Sequence, residues 1–206
     1  MSAPAKVIEL DLHRREPTAF GWSTLRMINS SPCKRDAIRM YARLGLHPIL
    51  IHGVDDGGAC TCRRRGCAAT GKHPVARGWQ SAALDLAVLD TAFVGNFRYN
   101  VGLRMGRQPS GVVLICIDVD GPRSLLEPIE REEETSFPPT LTAETARGLH
   151  FIYNWSDWRK TLGNSVRFAP KVDVRAARGQ IVAPPSRHAS GVPYRWIDAR
   201  EPVVLP

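Results

Sequence analysis

Long apolar runs are missing from this sequence of 206 residues, and none approaches the roughly 20 residues that a membrane-spanning helix needs. The first 20 residues, MSAPAKVIELDLHRREPTAF, also lack the apolar core of a secretory signal peptide. From these absences we expect a cytoplasmic location, reduced thiols and no membrane partner.

Cysteine is scarce, with five residues in the chain, and three of the five crowd into one short loop. In a reduced compartment such crowding indicates metal ligation rather than a disulfide. The other two, Cys33 in a predicted helix and Cys116 in a predicted strand, are expected to be core thiols. A phosphate-binding P-loop of the form G-x-x-x-x-G-K-S/T is absent as well, so this sequence lacks the ATPase motif of a helicase.

Positive charge, by contrast, is in excess: 28 Lys and Arg residues stand against 20 Asp and Glu residues, which gives a net charge of +8. A basic surface attracts polyanions, most often nucleic acid, although net charge also serves plain solubility. Apolar residues make up 43% and charged residues 23% of the chain, as in soluble globular proteins. The length suits one domain with a substantial core.

The first part of the sequence predicts two helices and a strand. Residues 1–28 are polar and mixed, and we expect a flexible extension ahead of a domain spanning residues 29–206. In the segment SSPCKRDAIRMYARLGLHP, Ser31 is the predicted N-cap, Pro32 takes the first helical position and Gly45 follows the last turn. The buried stripe of this helix is predicted to contain Ala37, Met40, Tyr41 and Leu44. A short buried strand (47–53) and a second helix (81–93) follow.

Strands dominate the rest of the sequence. Residues 121–134 are predicted to be helical, with Pro128 as an interruption. The predicted strands cover residues 100–106, 111–120, 140–145, 148–155, 171–176, 179–186 and 194–198. Early helices followed by strands indicate an α+β fold with a mostly antiparallel or mixed sheet.

The predicted strand LICIDVD is apolar until it ends in Asp118 and Asp120. Side chains alternate along a strand, so these two carboxylates share a face and lie roughly 7 Å apart. A bound divalent cation such as Mg²⁺ or Mn²⁺ would remove both their mutual repulsion and the cost of partly burying them. The alternative is that the two aspartates begin the turn at Gly121 and Pro122.

Two later strands carry further candidates. His150 begins the strand in RGLHFIYNW, after Gly148 and beside Arg147. Asp173 lies within KVDVRA, with Lys171 and Arg175 two residues away on either side and on the same face. Asp173 would supply a third metal carboxylate, while the basic residues neutralise phosphate. The alternatives are a hydrogen-bonded structural histidine and a salt-bridged aspartate.

The cysteine loop, at about residues 53–79, has the pattern C-x-C-x4-C-x5-H, formed by Cys60, Cys62, Cys67 and His73. Three thiolates and an imidazole can complete a tetrahedral Zn²⁺ site, and the metal would order a loop too polar to fold by apolar burial. His52 is a competing fourth ligand, and free thiols in a flexible loop are the alternative. Between the ligands a rigid knob would present three arginines to phosphates, namely Arg63, Arg64 and Arg65.

Taken in order, these stretches resemble the N-terminal primase–polymerase (prim-pol) domain of the archaeo-eukaryotic primase superfamily, of the bifunctional DNA primase/polymerase type. The resemblance covers about residues 35–197 and rests on YARLGLHPILI, the cysteine loop ending in GKHP, NVGLRMG, IDVD, RGLHFIY, VDVRA, GQIVAPPSRH and GVPYRW. It implies an RRM-like catalytic sheet, flanked by helices, with a zinc-bearing stem beside the active site.

The resemblance also implies roles for individual residues. Asp118, Asp120 and Asp173 would bind two catalytic Mg²⁺ or Mn²⁺ ions, and His150 would contact the phosphates of the incoming nucleotide. The family often has Ser where this chain has Gly148, which can offer a phosphate only its backbone N–H. The rest of the nucleotide pocket would be formed by Arg147, Arg175, Gln180, Ser186 and His188. For the segment GQIVAPPSRH the alternative is a structural hairpin corner.

The function implied by this resemblance is that of a template-directed nucleotidyl transferase, which synthesises or extends primers on single-stranded DNA from nucleoside triphosphates. Domains of this kind are commonly joined to a helicase or a helical accessory domain, so we expect such a partner. One alternative is a metal-dependent nuclease, which would need no nucleotides. The other is a non-catalytic, zinc-containing DNA-binding module of replication, whose DNA binding would survive loss of Asp118 and Asp120.

Overall fold

A computed structural model of the chain describes residues 21–31, 33–95, 98–157 and 162–206. The α-helices in this part are α1 (Leu25–Ile28), α2 (Lys34–Arg43), α3 (Leu86–Gly95) and α4 (Glu127–Glu132). The β-strands are β1 (Pro48–Ile51), β2 (Asn100–Arg104), β3 (Gly106–Arg107), β4 (Val113–Val119), β5 (Leu141–Glu144), β6 (Leu149–Asn154), β7 (Ser165–Ala169), β8 (Val172–Arg175), β9 (Gln180–Ala183) and β10 (Arg195–Asp198). None of the helices in the described ranges has the length and apolar content needed to cross a bilayer.

The strands form two sheets. The larger has the order β10-β5-β6-β4-β8-β7, with β3 paired to the start of β4, and the smaller has the order β1-β2-β9. The pairings between these strands are antiparallel. The predicted α+β fold with a mostly antiparallel sheet is therefore confirmed.

Packed structure begins ahead of residue 29. Leu25 and Ile28 of α1 are fully buried in the main core. Residues 1–20 of the predicted extension lie outside the described part of the chain. The division into an extension and a domain at residue 29 stays a prediction.

The start of α2 differs from the prediction. The N-cap is Cys33, without a side-chain cap, and the Ser31 hydroxyl accepts a hydrogen bond from the Cys33 N–H at 3.3 Å instead of capping the helix. The N-cap prediction at Ser31 is therefore wrong, and Pro32 lies outside the described residues. Gly45 ends the helix with a φ of +70°, the left-handed conformation that glycine adopts most readily. Cys33 is only half-buried and is not the core thiol that the sequence predicted.

Two other local predictions are corrected. Pro128 does not interrupt its helix, because it lies in the first turn of α4, where the backbone N–H has no intrahelical partner to lose. Strand β7 was not predicted at all. Its register with β8 is irregular between Ser165 and Ala169, and Arg167 has a φ of +62°, so the simple alternation of side chains that marks a strand is broken.

The two faces of β4 enter different parts of the core. Leu114 and Cys116 pack in the main cluster, together with residues of α1, α2 and the smaller sheet, while Ile115 and Ile117 pack in a second cluster with β6 and β8. Cys116 is thus the core thiol that the sequence predicted. Alternation places Asp118 on the face of Leu114 and Cys116. The row that faces the main core therefore ends in a carboxylate.

Candidate active site and metal centre

Three of the predicted site residues stand side by side across adjacent strands. Asp118 of β4 is directly opposite His150 of β6 on one side and Asp173 of β8 on the other. Directly opposed residues of antiparallel strands project from the same face, with Cβ atoms roughly 5 Å apart. Register alone therefore brings together residues that are far apart in the sequence.

Asp118 is the middle member of this row. Its Oδ1 lies 3.4 Å from Nε2 of His150, and its Oδ2 lies 3.5 Å from Nη2 of Arg175. Burial acts to raise the pKa of Asp118, but the hydrogen bond from His150 and the charge of Arg175 outweigh it and lower the pKa. The carboxylate is therefore ionised at neutral pH.

The other two carboxylates are also paired with arginines. Asp120, one residue beyond β4, lies 2.9 Å from Nη2 of Arg147. Asp173 accepts hydrogen bonds from Nη2 of Arg175 and from the backbone N–H of Arg167, each at 2.6 Å. The salt bridge that was the structural alternative for Asp173 is therefore present. Arg175 bridges Asp173 and Asp118.

These residues line a cavity of about 340 Å³ between the two sheets. The larger sheet contributes the three aspartates, and β9 of the smaller sheet contributes Gln180. Further residues around the cavity are Lys72, Thr145, Ala146, Arg147, His150, Arg175, Ile181, Val182, His188 and Tyr194. Acidic and basic side chains thus line one space that a small charged ligand can enter.

Several pKa values at the cavity wall are shifted by their surroundings. Burial lowers the pKa of Lys72, and the nearby charge of Arg147 lowers it further. Burial, Lys72 and Arg147 lower the pKa of His188, so its imidazole is neutral at pH 7. Burial and the charge of Asp118 raise the pKa of Tyr194 to about 12, so its hydroxyl keeps its proton.

A second group of ligating side chains lies in the cysteine loop. One ligand atom from each of Cys60, Cys62, Cys67 and His73 falls within 4.8 Å of the others, and Cys60 Sγ is 3.4 Å from His73 Nε2. In a tetrahedral zinc site the Zn–S bonds of about 2.3 Å place sulfurs roughly 3.8 Å apart, so these four residues can hold Zn²⁺. His52 is not a member of the group. Its ring packs on His73 with centroids 4.5 Å apart, and its Nδ1 is 3.1 Å from the Thr61 hydroxyl.

The thiols of this loop differ in their tendency to ionise. A hydrogen bond from the Arg64 N–H lowers the pKa of Cys62 to about 6, whereas burial raises the pKa of Cys60. The thiolate is the form that binds metal, so Cys62 is prepared for ligation at neutral pH. Arg63, Arg64 and Arg65 are exposed between the ligands, as predicted for a basic knob.

Comparison with known families identifies the chain. The model of a family described as bifunctional DNA primase/polymerase, N-terminal, matches residues 37–206. The chain belongs to this family. The matched residues include both the cavity and the cysteine loop, and the resemblance noted in the sequence is confirmed. A search of curated proteins finds no match.

Gly148 is the position at which this member of the primase/polymerase family departs from the expected motif. A Cβ atom at Gly148 would lie 1.9 Å from the Val119 carbonyl oxygen and 2.4 Å from the Gly121 nitrogen. The backbone that follows β4 therefore passes directly against residue 148 and leaves room only for glycine. The same backbone carries Asp120, so the glycine lets the acidic strand end lie against β6.

Some residues of the GQIVAPPSRH segment line the cavity, and others only support the fold. Gln180 and His188 line the cavity. Ser186 is fully buried away from it: its hydroxyl donates to the Val101 carbonyl at 3.0 Å and accepts from the Val101 N–H at 2.8 Å. That hydroxyl connects β2 to the turn after β9. The hairpin-corner alternative therefore describes Ser186.

The oxygen donors of the cavity fit a hard divalent cation, because Mg²⁺ and Mn²⁺ are bound by carboxylates together with substrate phosphates. Among the described residues, the cysteine loop is the only place where three or more metal-binding side chains bring all their ligand atoms within 4.8 Å. The aspartates at the cavity are instead paired with Arg147 and Arg175. An ion would therefore bind in exchange for arginine contacts.

Sequence reasoning did not assign a role to three polar residues of the cavity. Lys72 stands in the GKHP motif, next to the predicted ligand His73, and was treated only as part of the cysteine loop. Thr145 follows β5 and Tyr194 precedes β10, and a polar residue at the end of a strand is ordinary. Only the pairing of the sheets shows that Lys72, Thr145 and Tyr194 share one cavity.

Proposed function

We propose that the protein is a template-directed nucleotidyl transferase, which synthesises or extends primers on single-stranded DNA. The family description supports DNA primase/polymerase activity. The observation that carries the finer proposal is the row of His150, Asp118 and Asp173 across three strands, with Asp120 beside it. Ionised carboxylates and cations that line the same cavity suit a triphosphate with its metal ions.

Asp118, Asp120 and Asp173 are the residues that would hold two Mg²⁺ or Mn²⁺ ions. When bound, such ions activate the primer 3′-hydroxyl and stabilise the charge of the triphosphate and of the leaving pyrophosphate. The chain contributes ionised oxygen donors, because the pKa of Asp118 is lowered by His150 and Arg175 despite its burial.

The basic residues would act on the phosphates. Arg147 and Arg175 neutralise the aspartates in the structure, and their guanidinium groups can turn to phosphate oxygens when an ion takes over the carboxylates. Asp118 orients the buried His150 ring by accepting a hydrogen bond from its Nε2. Together these groups would counter the negative charge that grows on the phosphates during transfer.

The proposed partners are single-stranded template, a primer and nucleoside triphosphates. Exposed Arg63, Arg64 and Arg65 would contact the DNA backbone outside the cavity. Structural Zn²⁺ in the cysteine loop would hold this basic knob in place. A helicase or helical accessory partner and a cytoplasmic location, both expected from the sequence, remain predictions.

Incubation with single-stranded DNA, Mn²⁺ and labelled nucleoside triphosphates, with and without a primer, tests this proposal. A nucleotidyl transferase gives products longer than the primer, or new short strands without one, only when triphosphates are present. A nuclease would shorten the DNA even when triphosphates are omitted. A DNA-binding module would slow the migration of the DNA in a mobility-shift assay. It would leave the length of the DNA unchanged and would consume no nucleoside triphosphate.

A further inference from the structure

Lys72 connects the cysteine loop to the cavity. The residue that follows it, His73, is a member of the metal-binding group. The Lys72 side chain lines the same cavity as Asp118, Arg147 and His188, and its charge is close enough to lower the pKa of His188. A loop that is distant in sequence from the aspartates therefore supplies a cation to their site.

The backbone around Lys72 is held by residues in or next to strands of the smaller sheet. Gln180 donates from Nε2 to the Lys72 carbonyl at 2.9 Å, and Asn100 donates from Nδ2 to the Gly71 carbonyl at 3.0 Å. On the other side, the His52 N–H donates to the His73 carbonyl at 2.9 Å. The lysine is thus fixed between a metal ligand and strands of the smaller sheet, and not on a freely moving loop tip.

The Lys72 ammonium group forms no ion pair with a described residue, although the charges of Asp118 and Asp120 act on it from farther away. Within the described part of the chain no carboxylate lies at ion-pair distance from it, whereas Asp118, Asp120 and Asp173 are all in contact with arginines. A half-buried ammonium loses hydration and regains stability only from an anionic partner. The geometry therefore leaves the partner to be supplied by a ligand.

We propose that Lys72 binds phosphate oxygens of the nucleoside triphosphate, and that metal ligation by His73 and the three cysteines holds Lys72 in the cavity for this contact. The inference rests on the proposed function, because it assigns a residue to the same site. An ammonium is a compact point charge that suits phosphate oxygens from any direction. Phosphodiester oxygens of the DNA are the other group that Lys72 could bind. The experiment distinguishes DNA phosphates from triphosphate oxygens.

The test measures binding by calorimetry, with Mn²⁺ present, of a deoxynucleoside triphosphate without DNA and of single-stranded DNA without nucleotide. Lys72→Met removes the charge and keeps the aliphatic stem, and Lys72→Arg keeps the charge. One lost contact between a cation and a phosphate is expected to weaken triphosphate binding about 10- to 100-fold in Lys72→Met. Lys72→Arg should recover most of this loss, and DNA affinity should change little in either variant.

Arg107→Met is the matched control. Arg107 is an exposed cation on β3, which pairs with the start of β4, whereas Asp118 is near the end of β4. The control removes the same charge from the molecule at a distance from the cavity. It should bind the triphosphate as the wild type does.

The metal is tested by a double-mutant cycle. Cys62→Ser should weaken triphosphate binding, and so should a chelator used to strip metal from the wild type and dialysed away before Mn²⁺ is added. A thermal melt on the same samples shows whether the core stays folded. In the Lys72→Met background, either treatment should cause little further loss, because both act through one contact. Equal losses in the two backgrounds would show that the metal does not act through Lys72.

The proposal is overturned if Lys72→Met binds the triphosphate as tightly as the wild type, or if it loses DNA affinity instead. Failure of the proposed function gives a different result. In that case the wild type itself neither binds triphosphate nor extends primers, and the role of Lys72 falls with it. A wild type that extends primers beside a fully active Lys72→Met variant contradicts the Lys72 proposal alone.

Discussion

Individual residues of the site were predictable where their chemistry is unusual for their position. Two aspartates at the end of an apolar strand, and a third within KVDVRA, attract attention because burial of carboxylates is costly. The structure places Asp118, Asp120 and Asp173 around one cavity. Lys72 and Tyr194 gave no such signal, since a lysine in a polar loop and a tyrosine in a strand are ordinary, and their position depends on tertiary contacts.

The close approach of the backbone to Gly148 can be tested by a single substitution. Gly148→Ala would force a Cβ into the Val119 carbonyl and Gly121, and the backbone that carries Asp120 would have to move. We expect a loss of about 1–3 kcal/mol of unfolding free energy, as for other overpacking substitutions, together with a loss of primer extension. Urea denaturation and extension assays on the same preparation measure both.

Gly95→Ala is the control for this substitution. Gly95 ends α3, and nothing lies within 4 Å of a Cβ built there. Alanine is favoured over glycine in a helix, so stability should stay level or rise by up to about 1 kcal/mol. A Gly148→Ala variant as stable and active as Gly95→Ala would show that the strand end does not need this close approach.

At the scale of elements, the sequence predicted which helices and strands are present better than it predicted the residues at which they begin and end. The strands with clear apolar alternation were predicted, because that pattern follows directly from burial of one face. The start of α2 was misplaced, since Ser31 can form a local turn with Cys33 as easily as it can cap a helix. Strand β7 escaped detection because its bulge, with Arg167 at positive φ, interrupts the pattern.

The cysteine loop is the element whose order should depend on metal. We predict one Zn²⁺ per chain, bound by Cys60, Cys62, Cys67 and His73, and measurable by elemental analysis of protein purified without chelator. Cys62→Ser should lower zinc content and increase amide exchange within residues 53–79. The strands of the larger sheet should keep their protection, because none of the ligands belongs to that sheet. Metal-free wild-type protein with an equally protected loop would contradict this role.

For the whole molecule, we predict that the net charge of +8 supports binding to single-stranded DNA through its phosphates. Each neutralised phosphate releases condensed counterion, so log K should fall with log salt concentration at about −0.7 per contact. Replacement of Arg63, Arg64 and Arg65 with Ala should make the slope less steep, by up to about 2 for three contacts. A salt titration of DNA affinity measures this. An unchanged slope would show that the three arginines do not contact the DNA. Binding by the wild type that does not depend on salt would contradict an electrostatic interface altogether.

The arrangement of the whole molecule is also what the sequence could not show. The cavity lies between two sheets, and its walls come from β4, β8, β9 and the cysteine loop, which are separated along the chain. Resemblance to a family supplied the order of the motifs. The contacts of Lys72 with Gln180 and of Ser186 with Val101 depend on how the cysteine loop and the turn after β9 pack on the smaller sheet. Those contacts required the structure.

The structure also changes one expectation for the aspartates. Repulsion between Asp118 and Asp120 is offset by Arg147 and Arg175. The lowered pKa of Asp118 means that its charge stabilises the fold above the ordinary aspartate pKa, and that this contribution is lost as pH falls through the lowered value. Removal of these charges should therefore cost a little stability. Asp198→Asn, which breaks the 2.8 Å pair with Arg200 outside the cavity, is the matched control.

Nucleotide incorporation by the double variant Asp118→Asn with Asp120→Asn is the most direct test of the central claim that these carboxylates hold the catalytic ions. Primer extension and a thermal melt are measured on the same preparation, beside the wild type and Asp198→Asn. We predict that the double variant loses extension, retains single-stranded DNA binding and melts within a few degrees of Asp198→Asn, about what one or two ion pairs contribute. A folded double variant that extends primers at the wild-type rate would contradict it.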